Sequence, residues 1–193
     1  VVVGINTRMI YLLYDDGSRS EKVILNELGG CKGIIQSDGY SPYRKLESDA
    51  YPHITRIPCL QHIKRKFIDC GEDEPDAKRI VELINTLYQN EHKHKIGVDG
   101  WTVEQNLVHR KKYAPDILGE IKDVLDDIEE RGDLLPKSEL KEAVTYLRNE
   151  WNAVVDIFNY GDTYLDNNIV ERMNRYISLS RKNSLFFGSH KGA

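Results

Sequence analysis

A short apolar stretch at Gly33–Tyr40 places one carboxylate at the end of a segment that is too short to be a stable helix. Two isoleucines between glycines predict a buried strand, and Asp38 follows at its carboxyl end. In open α/β sheets ligands bind at that edge, and Gly39 would permit a sharp turn there. Asp38 is therefore either a candidate site residue or simply the start of the turn into Ser41 and Pro42.

The first seventy residues alternate between strand and helix patterns, which predicts an α/β core with a mixed sheet. Runs of β-branched and aromatic residues predict strands at Val1–Ile5, Met9–Tyr14 and His53–Ile57, in addition to the strand that carries Asp38 at its carboxyl end. The first two strands are close enough in sequence to form a hairpin. Helices are predicted after a capping serine or a proline: Glu21–Leu28, a short helix from Ser41, and a helix whose apolar face is Leu60, Ile63, Phe67 and Ile68.

Residues 71–160 instead carry apolar side chains three and four apart, which is typical of amphipathic helices. Three helices are predicted first: one at Ile80–Tyr88, one capped by Thr102 and Gln105, and one at Ile117–Ile128. A longer helix follows with an apolar seam of Leu140, Val144, Leu147, Trp151, Val154 and Phe158, all predicted to be core. We therefore predict three segments, at residues 1–70, 71–160 and 161–193.

A second carboxylate is predicted on a helix near the end of the sequence. Asp166 or Asn167 can cap this helix, so Glu171 falls within its first two turns. Apolar residues recur there at helical spacing, namely Ile169, Met173 and Ile177. A helix would hold Glu171 rigidly, as the strand end would hold Asp38.

These two acids, one on a strand end and one on a helix, resemble the DDE catalytic carboxylates of ribonuclease-H-like transposases. Further motifs resemble, in order, those of the insertion sequence 66 family of bacterial transposases: Gly17–Ser20, Gln36–Tyr40, Cys59–His62 with Arg65–Phe67, Leu135–Ser138, Asp166–Asn168 with Glu171–Arg172, and Arg181–Asn183 running to Phe187–Ser189. The resemblance implies a ribonuclease-H-like mixed sheet with flanking helices, in which residues 71–160 are an all-helical insertion before the last catalytic helix. It also implies metal-dependent cleavage and joining of DNA at transposon ends and target sites.

By this resemblance Asp38 is the second catalytic carboxylate and Glu171 the third, and both are expected to bind Mg²⁺ or Mn²⁺. Two such ions can activate an attacking oxygen and stabilise a leaving one, and they prefer hard carboxylate oxygens. The family places the first carboxylate on the central strand of a sheet with the order 3-2-1-4-5. We therefore expect that strand to precede Val1 and the isolated chain to be inactive. Asp15 and Asp16 are expected to be turn residues rather than the missing ligand.

The net charge of −4 argues against DNA binding by bulk charge alone, but the bases are unevenly distributed. His53–Lys66 contains four bases and no acid, and Tyr164–Ala193 contains five bases and two acids. The candidate phosphate contacts are Lys64, Arg65, Lys66, Arg172, Arg175, Arg181 and Lys182, with His62 and Asn168 as supporting residues. Solvated charged faces would give the same pattern, and His62 could equally be a core residue.

The sequence offers weaker support for other sites and compartments. Zinc would need a second ligand pair beside Cys59 and His62, and neither Cys70 nor His92 and His94 gives a finger-like spacing. No run is long and apolar enough for a membrane span, and an odd number of cysteines, three, favours a reducing cytoplasm. We expect a bacterial cytoplasmic protein, associated with the nucleoid when bound to DNA, that acts as a homo-oligomer and uses no nucleotide cofactor.

Two other classes of function remain open on the sequence alone. One is a non-catalytic transposase remnant or helical interaction module that keeps the fold without a complete site. The other is a ribonuclease-H-like nuclease or resolvase, which would use the same metal-assisted chemistry on a different DNA substrate.

Overall fold

The computed structural model describes residues 2–4, 9–11 and 20–183, with side chains described for residues 20–175 and for Leu179. The strands within these ranges are β1 (Val2–Gly4), β2 (Met9–Tyr11), β3 (Gly33–Ser37) and β4 (Ile54–Pro58). The helices there are α1 (Glu21–Leu28), a 3-10 helix (Ser41–Glu47), α2 (Leu60–Ile68), α3 (Pro75–Glu91), α4 (Val103–Arg131), α5 (Glu139–Ile157) and α6 (Asn168–Asn183). The chain is thus a mixed α/β protein that is mostly helical. None of the described helices combines the length and the apolarity needed to cross a bilayer.

The described strands form two separate pairs. β1 and β2 are antiparallel, so the predicted hairpin pairing is confirmed. β3 and β4 are parallel neighbours, and the Gly33 amide donates to the His53 carbonyl at 2.9 Å where the pair begins. Because the pair is parallel, both strands end at the same edge of the sheet, which we call the carboxyl edge. Asp38 follows β3 at this edge, and Cys59 follows β4.

The chain divides into two compact units. The first unit comprises residues 1–35, 40–56 and 167–193, and the second comprises residues 36–39 and 57–166. Asp38 therefore belongs to the second unit and Glu171 to the first. The segment boundaries predicted from the sequence stay a prediction.

In the first unit, α1 spans the predicted residues and packs against the 3-10 helix. Pro42 occupies the first turn of this short helix, where its missing amide hydrogen costs nothing, and Leu46 is fully buried. Arg56 of β4 is also buried and forms an ion pair with Glu47. A buried guanidinium needs such a partner, since an unpaired charge would be costly to remove from water.

The second unit is built by helix packing, in which α2 contacts α3 and α5, and α3 contacts α4. Its buried apolar side chains include Ile63, Phe67, Ile80, Leu87, Ile121, Leu125, Val144, Leu147 and Ile157. The predicted seam of α5 packs against this core, although Trp151 is only half-buried. Ile68, predicted to share the apolar face of α2, is instead 51% exposed. It follows Phe67 directly and is therefore rotated about 100° around the helix, away from the core.

α4 is one continuous helix of 29 residues where the sequence predicts two. Its start confirms the predicted capping box, because the Thr102 hydroxyl accepts from the Gln105 amide at 3.2 Å and the Gln105 side chain accepts from the Thr102 amide at 2.9 Å. Pro115 lies inside the helix and leaves the Lys111 carbonyl without its usual donor. Residue 115 is exposed, so water can satisfy that carbonyl while the buried face of the helix continues past it.

Candidate functional site

Asp38 lies where the sequence predicts it, directly after β3, and it is half-buried. The preceding Ser37 is 5% exposed, and its hydroxyl donates to the Asp38 carbonyl at 3.0 Å. This hydrogen bond holds the backbone at the point where the chain leaves the carboxyl edge. The backbone of Asp38 is therefore held next to the end of β3.

Gln36 ties the carboxyl edge to the segment that leads towards α6. Its side-chain amide donates to the Tyr164 carbonyl at 2.7 Å and to the Pro58 carbonyl at 3.2 Å. At the start of α2, the Leu60 amide donates to the Leu165 carbonyl at 2.8 Å. Two successive backbone carbonyls are thus held at the carboxyl edge within the second unit. The sequence prediction placed Gln36 in a motif but assigned it no role.

Gly39 makes room for a tyrosine of α5. A Cβ added at Gly39 would overlap the ring and hydroxyl of Tyr146. Gly39 is predicted from the sequence to permit a sharp turn, yet its φ angle does not lie in the left-handed region. The glycine is needed here for space instead. The loop that carries Asp38 therefore lies directly against α5 in the second unit.

Asp166 faces the half-buried Tyr88 of the second unit. Burial, followed by the negative charge of Asp166, raises the pKa of Tyr88 far above its ordinary value, so this phenol keeps its proton. Asp166 is thus associated with α3 within the second unit. The last helix begins at Asn168, and the Asn167 carbonyl accepts from the Glu171 amide at 3.2 Å. Of the two predicted caps, Asn167 occupies the capping position.

The side chains predicted to act on α6 are accessible. Asn168, Glu171, Arg172 and Arg175 are all exposed, and Glu171 lies in the first turn. The positive end of a helix also stabilises an acid in this position, so exposure and charge alone do not assign a catalytic role. Because Glu171 and Asp38 belong to different units, the distance between their carboxylates stays a prediction.

The predicted phosphate contacts on α2 are also near the protein surface. Three bases lie in its last two turns, half-buried Lys64 and exposed Arg65 and Lys66. The negative end of the helix dipole favours bases at the same positions. His62, on the same helix, is half-buried. The side chains of Arg181 and Lys182 lie outside the described residues.

A buried arginine holds the segment between α5 and α6. Arg110 of α4 is fully buried; its Nη1 donates to the Ile157 carbonyl at 3.2 Å and to the Thr163 hydroxyl at 2.6 Å. Its Nη2 donates to the Thr163 carbonyl at 2.7 Å. Glu91 of α3 accepts from Nε at 3.0 Å and from Nη2 at 2.5 Å. This set, which we call the Arg110 clamp, fixes residues 157–163 through charge-assisted hydrogen bonds.

The Arg110 clamp was missed at the sequence level, although the helical period contained a signal for it. Arg110 precedes Ala114 and Ile117 by four and seven residues, so it falls on the buried face of α4. A charged side chain on such a face is buried only when it is paired. The carbonyls that it binds are 47 and 53 residues away in sequence, and local pattern gives no information about them.

The Arg110 clamp predicts a loss of stability in acid. Burial raises the pKa of Glu91, whereas the hydrogen bonds and the positive charge of Arg110 lower it. Hydrogen bonds from Tyr113 and Asn106 lower it further. The net effect is a pKa below the ordinary value of 4.5. A carboxyl with a lowered folded-state pKa stabilises the fold above its unfolded pKa and loses that contribution as the pH falls towards the folded value.

We therefore expect the free energy of unfolding to decrease as the pH falls below about 4.5, and Glu91→Gln to flatten this dependence. Urea unfolding at a series of pH values measures both. Glu130→Gln, at an exposed position of α4, serves as the matched control. An equally steep acid dependence in the parent and in Glu91→Gln would show that the clamp does not contribute to it.

No group of three or more His, Cys, Asp and Glu side chains that could hold a metal ion is found in the part of the chain that the structure describes. The three cysteines form no disulfide among the described residues: Cys31 is exposed, Cys59 is buried and Cys70 is half-buried. The metal-binding roles of Asp38 and Glu171 stay predictions.

Comparison with known proteins supplies evidence independent of the geometry. A family model described as "Transposase IS66 family" matches residues 3–193. The chain is 30% identical over 182 residues to the uncharacterized protein y4jD of Sinorhizobium fredii (strain NBRC 101917 / NGR234), an alignment that covers 91% of this chain and 34% of the relative. It is 28% identical over 197 residues to y4qI of the same strain, with 98% and 35% covered. The chain thus spans about a third of the length of these relatives. No solved structure matches it.

Proposed function

The chain belongs to the IS66 family of transposases, and we propose on this premise that the intact protein is a DNA transposase whose metal-dependent catalytic domain includes these residues. Asp38 and Glu171 act as the second and third carboxylates of a DDE-type site. The observation that carries this proposal is the position of Asp38 at the end of a parallel strand, where α/β proteins bind their ligands. The carbonyls of Tyr164 and Leu165, held at the same edge a few residues before Glu171, support it.

The strand pairing supports a ribonuclease-H-like core for this site. In a ribonuclease-H-like sheet, whose strand order is 3-2-1-4-5, the second and third strands form an antiparallel pair and the fourth and fifth a parallel one. The antiparallel β1–β2 pair corresponds to the second and third strands, and the parallel β3–β4 pair to the fourth and fifth, in the same order along the chain. On this proposal strand 1 joins the two pairs and carries the first carboxylate, and α3, α4 and α5 belong to the helical insertion.

The donor atoms of Asp38 and Glu171 fit Mg²⁺ or Mn²⁺, because both ions prefer hard carboxylate oxygens and keep several waters. Two such ions, when bound, would polarise the attacking and leaving oxygens of a phosphodiester. The chain itself supplies rigidity to the ligands. The hydrogen bond from Ser37 and the packing at Gly39 hold the Asp38 loop, and the first turn of α6 holds Glu171.

DNA binding is proposed to depend on local clusters of bases, since the net charge is −4. The proposed phosphate contacts are Lys64, Arg65 and Lys66 on α2 and Arg172, Arg175, Arg181 and Lys182 on α6, with His62 and Asn168 in supporting roles. Substrates are the transposon ends and the target DNA. Nucleoid association and assembly into a homo-oligomer on paired ends belong to the same proposal.

The direct test incubates the intact protein with a plasmid that carries its transposon ends, with Mg²⁺, with Mn²⁺ or with EDTA. We expect metal-dependent cleavage at the ends and joining to target DNA, and no product in EDTA. DNA binding without cleavage under all conditions would favour the non-catalytic remnant. Cleavage that ignores the transposon ends would favour a nuclease or a resolvase.

A further inference from the structure

One face of α5 forms an open cleft with the end of α2 in the second unit. The cleft has a volume of about 340 Å³ and is lined by Lys66, Lys141, Glu142, Thr145, Tyr146 and Asn149. Of these residues only Lys66 is predicted from the sequence to contact phosphate, and the other five lie on a helix predicted to belong to the insertion. We infer that this cleft binds the sugar–phosphate backbone of DNA next to the catalytic loop. The inference rests on the proposed function and extends it to the helical insertion.

The donors on α5 are spaced for a continuous strand. Lys141, Thr145 and Asn149 recur every four residues, so they lie along one side of the helix, and all three are exposed. At 1.5 Å per residue they span roughly 12 Å, which corresponds to about three nucleotides at a rise of 3.4 Å each. An ammonium, a hydroxyl and an amide are the side-chain groups that proteins commonly use to contact phosphate oxygens.

The position of the cleft relative to Asp38 is fixed by direct packing. Tyr146 lines the cleft and also lies against Gly39, the residue that follows Asp38. A strand bound along α5 would therefore pass beside the loop that presents the carboxylate. Because Gly39 and Tyr146 are both in the second unit, this relationship lies within one compact body.

The small net charge of the cleft suits a few defined contacts to one DNA strand better than non-specific electrostatic attraction of DNA. Lys66 and Lys141 contribute two positive charges, and Glu142 contributes one negative charge. The net positive charge is small, so the cleft would add a few defined contacts to an affinity that depends mainly on other bases. A carboxylate beside a phosphate path also restricts where the strand can lie, since the two anions repel.

The test measures duplex affinity of the intact protein at several NaCl concentrations. One variant combines Lys141→Gln with Asn149→Ala, and a second adds Lys66→Gln. Lys112→Gln is the matched control, because Lys112 lines a different cleft with His94 and Trp101. All these changes are at exposed or cleft-lining positions, and thermal unfolding verifies that each variant is folded.

We expect weaker binding of random and transposon-end duplexes alike, with the slope of log affinity against log salt falling by about 0.9 for each lysine neutralised. The Lys112 variant should keep the parental slope. If the parent binds and cleaves DNA while the variant that combines Lys141→Gln with Asn149→Ala keeps its affinity and salt slope, the cleft inference is wrong and the proposed function stands, because an effect of Lys66→Gln alone already follows from that function. If the parent itself binds no DNA, both are wrong.

Discussion

Replacing Asp38 or Glu171 by Ala is expected to reduce metal-dependent DNA cleavage by the intact protein by about a thousandfold or more, while DNA affinity changes little. Each carboxylate is proposed to hold an ion that contributes several kcal/mol to the transition state, and each 1.36 kcal/mol corresponds to about a factor of ten in rate. Affinity depends instead on contacts from Lys and Arg to phosphate. Single-turnover cleavage and equilibrium binding, measured on the same preparations, separate the two effects.

The controls for this experiment use the same classes of side chain elsewhere. Asp49→Ala removes an exposed carboxylate and should leave cleavage unchanged. Neutralising Lys64, Arg65 and Lys66 together should have the opposite effect to the carboxylate changes. It should weaken DNA binding in a salt-dependent way, without the loss of catalysis expected for the carboxylate variants. An Asp38→Ala protein that cleaves at the parental rate with Mg²⁺ would refute the catalytic assignment.

Arg110→Ala is expected to have the largest effect on stability, a loss of about 3–5 kcal/mol in the free energy of unfolding. The substitution leaves the Glu91 carboxylate without its buried cation and the carbonyls of Thr163 and Tyr160 without the guanidinium donors, although the Ile157 carbonyl still accepts from the Thr163 hydroxyl. Native domains are stable by only about 5–15 kcal/mol, so this one change would leave little margin. Urea unfolding gives the free energy, and hydrogen exchange reports loosening of residues 157–163.

The chain offers a matched ion pair at the surface. Arg79 bonds to Glu120 at 2.5 Å, but its side chain is 50% exposed. Exposed pairs contribute up to about 1 kcal/mol, so Arg79→Ala should have a small effect. Arg110→Lys should lower the free energy of unfolding by an amount between those of Arg110→Ala and Arg79→Ala. Lysine keeps the charge but lacks the planar guanidinium that reaches several acceptors. Arg110→Ala and Arg79→Ala variants of equal stability would contradict the role given to the clamp.

Local signals in the sequence predicted the individual elements well. The capping box at Thr102, the strand that ends before Asp38, and the helix after Ser20 depend on neighbouring residues only, and each is found. One local signal was overridden by tertiary packing. The chain continues as a helix through Pro115 because the proline faces solvent and the buried face on either side is uninterrupted.

The contacts that shape the candidate site could not be predicted in this way, because they join distant parts of the chain. Gln36 binds the carbonyl of Tyr164, which is 128 residues away. Gly39 is needed because a side chain there would overlap the ring of Tyr146, although a glycine before Tyr40 suggests only a turn. For the same reason the sequence alone gives no distance between Asp38 and Glu171, which lie on different elements of different units.

The carboxylate pair is the central claim, and the separation of the two groups in a crystal structure of the intact protein with DNA and a divalent cation tests it most directly. We expect the Asp38 and Glu171 carboxylates to bind a pair of ions about 4 Å apart. Carboxyl groups more than about 10 Å apart in that complex, well beyond what a two-metal site tolerates, would contradict the assignment.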